Sequence, residues 1–172
     1  MSGSSTSDHA VSGLLRPITA ADHAAVVELN QRNVELLAPL DEVRLAELVT
    51  LADAACVIDV DGAFAGFVIT FASGSAYDGE NFAWFTERYD DFCYLDRVVI
   101  HEDFRRGGLG SKVYDELESS CGRPVFALEI NLDPPNVGSL AFHRARGYTE
   151  VGQRVSGGHL VSLLTLSLEG PG

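Results

Sequence analysis

The stretch FRRGGLGSK, residues 104–112, is the most informative part of this sequence. Glycine fills three of the four positions 107–110, two arginines precede them, and apolar residues at helical spacing follow in residues 108–120. The whole chain carries 12 basic and 25 acidic residues, a formal net charge of −13. A strand, a glycine-rich turn and a helix N-terminus together direct backbone N–H groups at an anion. The stretch therefore predicts a phosphate-binding turn on an otherwise acidic protein.

Three phosphate-binding motifs compete for this stretch. The P-loop requires GxxxxGK[ST], but Ser111 places the lysine one position out of register. The dinucleotide fingerprint GxGxxG requires a third glycine where this chain has Val113. The pattern Arg/Gln-x-x-Gly-x-Gly/Ala fits position for position, with Arg105, Gly108 and Gly110.

A second motif follows in residues 136–148, NVGSLAFHRARGY. It fits Asn-x-x-Ser/Ala-x-x-Phe-Tyr-x-x-x-Gly-Phe/Tyr at every position but one, where His143 replaces the tyrosine. With both motifs the chain resembles the GNAT superfamily, the acetyl-CoA-dependent N-acyltransferases, over about residues 13–168. The resemblance implies an α/β fold: a mixed, mostly antiparallel central sheet that is flanked by helices and splayed at the acetyl-CoA site.

Apolar periodicity and turn signals predict the individual elements. They are strands at 13–18, 92–100, 124–130, 148–155 and 159–168, a β-hairpin at 54–72, and helices near 19–32, 40–51, 108–120 and 136–146. Residues 73–91 are predicted to be a long loop dense in aromatic side chains.

Composition predicts one soluble domain at residues 13–170, after a flexible Ser- and Gly-rich tail at 1–12. Three scattered cysteines without a CxxC pair favour a reduced, cytoplasmic protein, and the five histidines show no metal-ligand spacing. The acidic balance argues against a nucleic-acid partner. No apolar stretch approaches the roughly 20 residues that a membrane span needs.

The resemblance also implies which residues bind acetyl-CoA. Backbone N–H groups of residues 106–111 would hold the pyrophosphate, and basic side chains beside them would add charge. The strand before the turn would pair with pantetheine and offer an N–H to the thioester oxygen. The implied residues are Val98, Val99, Ile100, Arg105, Arg106, Gly107, Gly108, Leu109, Gly110, Ser111, Lys112, Asn136, Ser139, Phe142, His143 and Arg146. For Arg146 the alternative is a solvated charge on the helix surface.

Acetyl transfer to an amine requires two proton movements. An alkylammonium, with a pKa of about 10.4, must lose a proton before it attacks, and the leaving thiolate then takes one up. Glu129, late in an apolar strand, and Asp96 are the candidate bases, with an ion pair as the alternative role of Asp96 and amine binding as that of Glu129. His143 is the candidate acid, or else a helix-surface residue that contacts CoA. Tyr94 stands where many relatives carry glutamate.

The acceptor is predicted to be a small cationic amine, because Asp78, Glu80 and Glu87 lie in the 73–91 segment. Two other functions stay open: a protein or peptide N-acetyltransferase, and a non-catalytic acyl-CoA-binding regulatory module. A homodimer through the last strands is a further expectation. The predicted acceptor-binding residues are Asn33, Tyr77, Trp84, Phe85 and Tyr94, with the alternative that the aromatic residues form a hydrophobic plug under the loop.

Overall fold

The computed structural model describes residues 13–168; the predicted tail at 1–12 and the last two residues of the predicted domain lie outside that range. Its strands are β1 (Leu15–Pro17), β2 (Ala54–Val60), β3 (Ala63–Ala72), β4 (Cys93–Ile100), β5 (Val125–Asn131), β6 (Thr149–Ser156) and β7 (His159–Ser167). Its α-helices are α1 (His23–Gln31), α2 (Glu42–Leu51), α3 (Glu80–Thr86), α4 (Leu109–Ser120) and α5 (Val137–Ala145), and short 3₁₀ turns lie at Ala20–Asp22 and Glu102–Phe104.

The strands form one seven-stranded sheet in the order β1-β2-β3-β4-β5-β7-β6. The β1–β2, β2–β3, β5–β7 and β6–β7 pairs are antiparallel. The β4–β5 pair is parallel, with Cys93 opposite Phe126 and Tyr94 opposite Ala127. This mixed, mostly antiparallel sheet with helices confirms the predicted fold class.

Close contacts divide the chain into two interleaved units. The first unit contains the residues up to Thr70 together with Asp96–Ser120, and the second contains Phe71–Leu95 together with the residues from Cys121 onward. The chain thus passes from one unit to the other inside β3 and returns inside β4. The glycine-rich stretch belongs to the first unit and the NVGSLAFHRARGY motif to the second.

The first unit begins with a capped helical turn that an arginine reinforces. Asp22 accepts a hydrogen bond from the Thr19 backbone N–H at 2.8 Å, which is part of a capping box. Arg16 donates to both oxygens of Asp22, at 2.8 and 2.9 Å. These hydrogen bonds hold the pKa of Asp22 well below its usual range, and the bond from Arg16 lowers it more than the bond from Thr19 does. Partial burial opposes them.

Asp22→Asn is expected to lower the free energy of unfolding by about 1 kcal/mol at pH 7, the usual scale for a helix cap. Because the pKa of Asp22 is depressed in the folded state, its contribution is present above about pH 4 and is lost as the pH falls further. Urea unfolding at pH 7 and pH 3 measures this. The difference in unfolding free energy between the parent and Asp22→Asn should be smaller at pH 3 than at pH 7. An equal difference at both pH values would contradict the role of the ionised carboxylate.

The predicted hairpin of the first unit is present as β2 and β3. Asp61 and Gly62 both adopt positive φ, +52° and +89°, which is the conformation of a two-residue hairpin turn. The β2–β3 register shifts at Ile58 and Asp59, opposite Gly66. A Cβ at Gly66 would collide with the Val99 carbonyl oxygen of β4, so only glycine allows this approach.

The second unit contains an aromatic cluster, and the prediction of a long loop at 73–91 missed a helix, Glu80–Thr86. Helix α3 forms inside this segment, because Phe82 and Phe85, three residues apart, present one buried face, with 3% and 0% of their surface exposed. The ring of Tyr77 stacks on Phe71 with centroids 3.8 Å apart. The aromatic residues of this segment therefore pack together, as the hydrophobic-plug alternative described.

Candidate active site

The glycine-rich turn of the first unit has the backbone shape that an anion site needs. Arg106 and Gly108 both adopt left-handed conformations, with φ of +72° and +78°, and α4 begins immediately after them. The first four N–H groups of an α-helix have no acceptor within the helix. Residues 105–108 are exposed. The turn therefore presents these N–H groups, and the positive end of the helix dipole, at the surface.

The surrounding protein leaves room for a side chain at positions 107 and 110, where the sequence has glycine. A Cβ at Gly107 would meet no atom within 4 Å, and one at Gly110 would meet only the Ile100 Cδ1 at 3.8 Å, an ordinary contact. Glycine inside a helix costs about 1 kcal/mol relative to alanine. Glycines that the fold does not need, placed beside donor N–H groups, are what a closely bound anion requires.

The charged side chains around the turn make different contacts. Arg105 donates through its Nε to the Ile100 carbonyl at 2.8 Å. Glu102 is bound by Arg32 at 2.7 Å. The pKa of Glu102 lies below its ordinary value, because a backbone hydrogen bond lowers it most and Arg32, His101 and Arg105 add positive charge. Arg105 and Arg106 thus bring two positive charges to the turn, and Glu102 and Asp103 just before them bring two negative charges.

Lys112, one turn into α4, lies beside acidic groups. It lines an open groove of about 570 Å³. The groove also contains carboxylates from the β2–β3 hairpin and from α4: Asp59, Asp61, Asp115 and Glu116. These carboxylates offset part of the charge that Lys112 was predicted to bring to a phosphate.

Asp96, one of the two predicted bases, forms an ion pair with its neighbour in β4. Its Oδ2 lies 3.2 Å from the Arg97 Nε, and the two side chains are 10% and 6% exposed. Arg97 also donates to the Asn30 side chain at 2.9 Å and to the Ala38 carbonyl at 2.8 Å. Asp96 therefore belongs to a buried network that links β4 to the end of α1 and the residues after it.

The prediction missed Arg97, although the sequence carries a signal for it. Leu95, Arg97 and Val99 alternate along β4, and all three are buried. An arginine at an inward-facing strand position needs hydrogen-bond partners. A charged residue that falls between two apolar residues at alternate positions of a strand, as Arg97 does between Leu95 and Val99, thus indicates a buried network.

Glu129, the other predicted base, is bound to Tyr94. The Tyr94 hydroxyl donates to the Glu129 Oε1 at 2.6 Å. Tyr94 is 2% exposed, whereas Glu129 is half-buried in β5. The structure thus joins a predicted base, Glu129, to a predicted acceptor-binding residue, Tyr94.

His143, the predicted acid, is buried in the second unit with 3% of its surface exposed. Its Nδ1 lies 2.7 Å from the Ser139 carbonyl oxygen. A carbonyl oxygen only accepts, so this hydrogen bond requires a proton on Nδ1. The rings of Phe142 and Tyr148 each pack at 5.2 Å from it. His143 is therefore an interior residue of α5, not one on the helix surface.

The ends of α5 agree with the second sequence motif. The Asn136 side chain accepts from the Ser139 N–H at 3.1 Å and caps the N-terminus of α5. Gly147 has φ of +99° and its N–H donates to the Arg144 carbonyl, which ends the helix. Arg146 lies over the Phe142 ring at 5.7 Å.

The predicted acceptor-binding residues occupy different environments. Phe85 has no exposed surface, so its ring belongs to the core. Trp84 is half-buried, lies against Gly152 of β6 and carries the Arg88 guanidinium 3.8 Å above its ring. In the first unit, Asn33 donates to the Leu29 carbonyl at the end of α1.

Residues 13–168 include no group of three or more His, Cys, Asp or Glu side chains placed to hold a metal ion. Within the same range, every helix is too short or too polar to cross a membrane.

Comparison with known families identifies the class of protein. The acetyltransferase (GNAT) family model matches residues 24–148, most of the chain. The chain therefore belongs to the acetyltransferase (GNAT) family, which confirms the interpretation of the two motifs. No curated protein matches the sequence.

Solved structures with the same fold share little sequence with this chain. YncA from Salmonella typhimurium, solved with its cofactor acetyl-CoA, is 19% identical, with 92% of this chain and 95% of that chain covered and a TM-score of 0.65. Ard1 from Thermoplasma volcanium is 17% identical over 91% and 97%, with a TM-score of 0.70. A ribosomal-protein-alanine N-acetyltransferase from Brucella melitensis is 19% identical over 90% and 99%, with a TM-score of 0.68.

Proposed function

We propose that this protein transfers an acetyl group from acetyl-CoA to the primary amine of a small cationic molecule. The amine attacks the thioester directly. The observation that carries the proposal is the glycine-rich turn, where Gly107 and Gly110 leave room that the fold itself does not need. Family membership supplies the reaction class. Acetyl-CoA is the donor because its pyrophosphate suits the N–H groups at the start of α4.

The residues of the turn have distinct roles in this proposal. The N–H groups of residues 106–111 hold the pyrophosphate, and Arg105 and Arg106 add positive charge. In β4, the backbone around Val98, Val99 and Ile100 pairs with the pantetheine arm and offers an N–H to the thioester oxygen. The second motif contributes Asn136, Ser139, Phe142 and Arg146 to the same ligand.

Acetyl-CoA supplies an activated acetyl group: the amine nitrogen forms a C–N bond with its carbonyl carbon, the C–S bond breaks, and CoA leaves as a thiolate. We assign Glu129 as the base that takes the ammonium proton, directly or through water. We do not assign Asp96 as the base, because its carboxylate already forms an ion pair with Arg97. His143 remains the proposed proton donor to sulfur. Since its Nδ1–H is directed at the Ser139 carbonyl, the donated proton is the one on Nε2, so this step uses the imidazolium form, with both ring nitrogens protonated.

A peptide α-amine is the second candidate acceptor. It is suggested by the common fold with the ribosomal-protein-alanine N-acetyltransferase of Brucella melitensis. A small polyamine is suggested instead by the carboxylates of Asp78, Glu80 and Glu87 in the second unit. Two of these already form ion pairs, Glu80 with Arg154 at 3.0 Å and Glu87 with Arg88 at 3.4 Å, so a polyamine would compete with an arginine there.

The proposal is tested by turnover. The protein is incubated with acetyl-CoA and a panel of polyamines, amino acids, aminoglycosides and short peptides, and release of the CoA thiol is measured. Turnover on one acceptor class supports the enzyme and identifies the class. Tight acetyl-CoA binding by calorimetry without turnover on any acceptor would contradict it and favour the non-catalytic acyl-CoA-binding module. The oligomeric state of the same preparation tests the predicted homodimer. The cytoplasmic location is a separate prediction.

Gly107→Ala and Gly110→Ala are expected to weaken acetyl-CoA binding by tenfold or more, because the added methyl group occupies the space of the phosphate. Neither change should destabilise the free protein, and Gly110→Ala should stabilise it by up to about 1 kcal/mol through helix propensity. Calorimetry measures the affinity and urea unfolding the stability. Ser119→Ala, in the last turn of the same helix, is the control. Unchanged affinity in both glycine variants would place the phosphate elsewhere.

A further inference from the structure

We propose that Tyr94 is a positioning residue for Glu129: its hydroxyl holds the carboxylate in a fixed orientation to receive the acceptor's proton. This inference rests on the proposed function, since it assumes that Glu129 is the base. It is carried by the 2.6 Å hydrogen bond from the Tyr94 hydroxyl to the Glu129 Oε1.

The strand register fixes the relation between these two residues. In the parallel β4–β5 pair, Tyr94 lies opposite Ala127. Side chains two residues apart on a strand share a face, so Glu129 is the diagonal neighbour of Tyr94 on the same face of the sheet. The backbone pairing of the two strands therefore dictates that this tyrosine and this carboxylate meet.

The aromatic cluster fixes the direction of the hydroxyl. The Tyr94 ring lies 5.7 Å from Phe82, 5.9 Å from Phe85 and 6.5 Å from Tyr77, and only 2% of the residue is exposed. A tyrosine has two side-chain torsions, and packing on several sides leaves little freedom in either. The phenol thus acts as a rigid donor at the edge of the cluster.

The cluster itself does not require a hydroxyl at position 94. Four phenylalanines, Phe71, Phe82, Phe85 and Phe92, already pack in it, and a fifth would fill nearly the same volume. A buried hydroxyl is costly unless it is bonded, and here its partner is a half-buried carboxylate. A hydrogen bond donated to an ionised carboxylate stabilises the form that accepts a proton.

The bond to Tyr94 engages one oxygen of the Glu129 carboxylate. Two carboxylate oxygens offer about four lone-pair sites, of which the hydroxyl takes one. In the proposed step, an acceptor ammonium donates its proton to Glu129, and the neutral amine then attacks the thioester carbon. Tyr94 transfers no proton in this step; it fixes where the accepting oxygen lies.

The first experiment tests the bond without any acceptor. Urea unfolding is measured for the parent, Tyr94→Phe, Glu129→Gln and the double variant, with Tyr114→Phe as the control for loss of a buried tyrosine hydroxyl elsewhere. We expect the effects at 94 and 129 to be coupled by about fivefold in the unfolding equilibrium constant, because glutamine still accepts from the Tyr94 hydroxyl and the cycle measures the extra strength of a bond to a charged acceptor. Additive effects would overturn the proposal.

The second experiment uses the same four proteins with the acceptor found in the panel. Tyr94→Phe should lower kcat about tenfold with KM for acetyl-CoA unchanged, and it should have no further effect in the Glu129→Gln background. A large loss in Glu129→Gln with Tyr94→Phe within twofold of the parent would overturn the role of Tyr94 and leave the proposed function intact. Absence of turnover on every amine would refute the proposed function, and the positioning role with it.

Discussion

Glu129→Gln is expected to lower kcat by roughly 10²–10⁴-fold, the range that a general base typically contributes. Glutamine keeps the size of the side chain and still accepts from the Tyr94 hydroxyl through its amide oxygen. It removes the charge and the ability to take a proton. The loss should therefore fall on kcat, while KM for acetyl-CoA stays near that of the parent.

The measurement is steady-state release of the CoA thiol at saturating acetyl-CoA, alongside calorimetric binding of acetyl-CoA. Glu28→Gln, an exposed position on α1, controls for the loss of one negative charge from a chain of net charge −13. If Glu129→Gln instead raises KM for the amine and leaves kcat unchanged, Glu129 binds the acceptor and another group is the base. That outcome would also shift the role of Tyr94 from positioning a base to positioning an ammonium ligand.

Local sequence signals predicted much of this fold because each acts within a few residues. Asp61-Gly62 sets the β2–β3 turn through positive φ, and Asn136 and Gly147 set the two ends of α5. The glycine-rich turn could be placed for the same reason. Gly108 needs a left-handed conformation, and the helix that follows is amphipathic.

Features that depend on partners distant in sequence could not be predicted. Helix α3 was missed because its seven residues are stabilised by packing among aromatic rings rather than by propensity. The Tyr94–Glu129 bond joins residues 35 positions apart, and it follows only once the β4–β5 register is known. Asp96 and Glu129 were equivalent candidates until the structure paired one with Arg97 and the other with Tyr94.

Arg97→Met is expected to lower the free energy of unfolding by about 3–5 kcal/mol, the cost of removing one partner from a buried ion pair. The methionine fills much of the arginine volume, so the change isolates the loss of the guanidinium. Asp96, 10% exposed, would lose this ion pair, and the Asn30 side chain and the Ala38 carbonyl would lose their bonds from Arg97. Urea unfolding of parent and variant measures the loss.

Two further variants separate the charge of Arg97 from its shape. Arg97→Lys keeps the charge but not the planar set of donors, so it should recover only part of the stability. Asp96→Asn should destabilise the protein by leaving Arg97 without its carboxylate, yet preserve kcat per folded molecule, because we assign the base to Glu129. A loss below about 1 kcal/mol in Arg97→Met would contradict the buried network, and a large loss of kcat in folded Asp96→Asn would return Asp96 to the candidate bases.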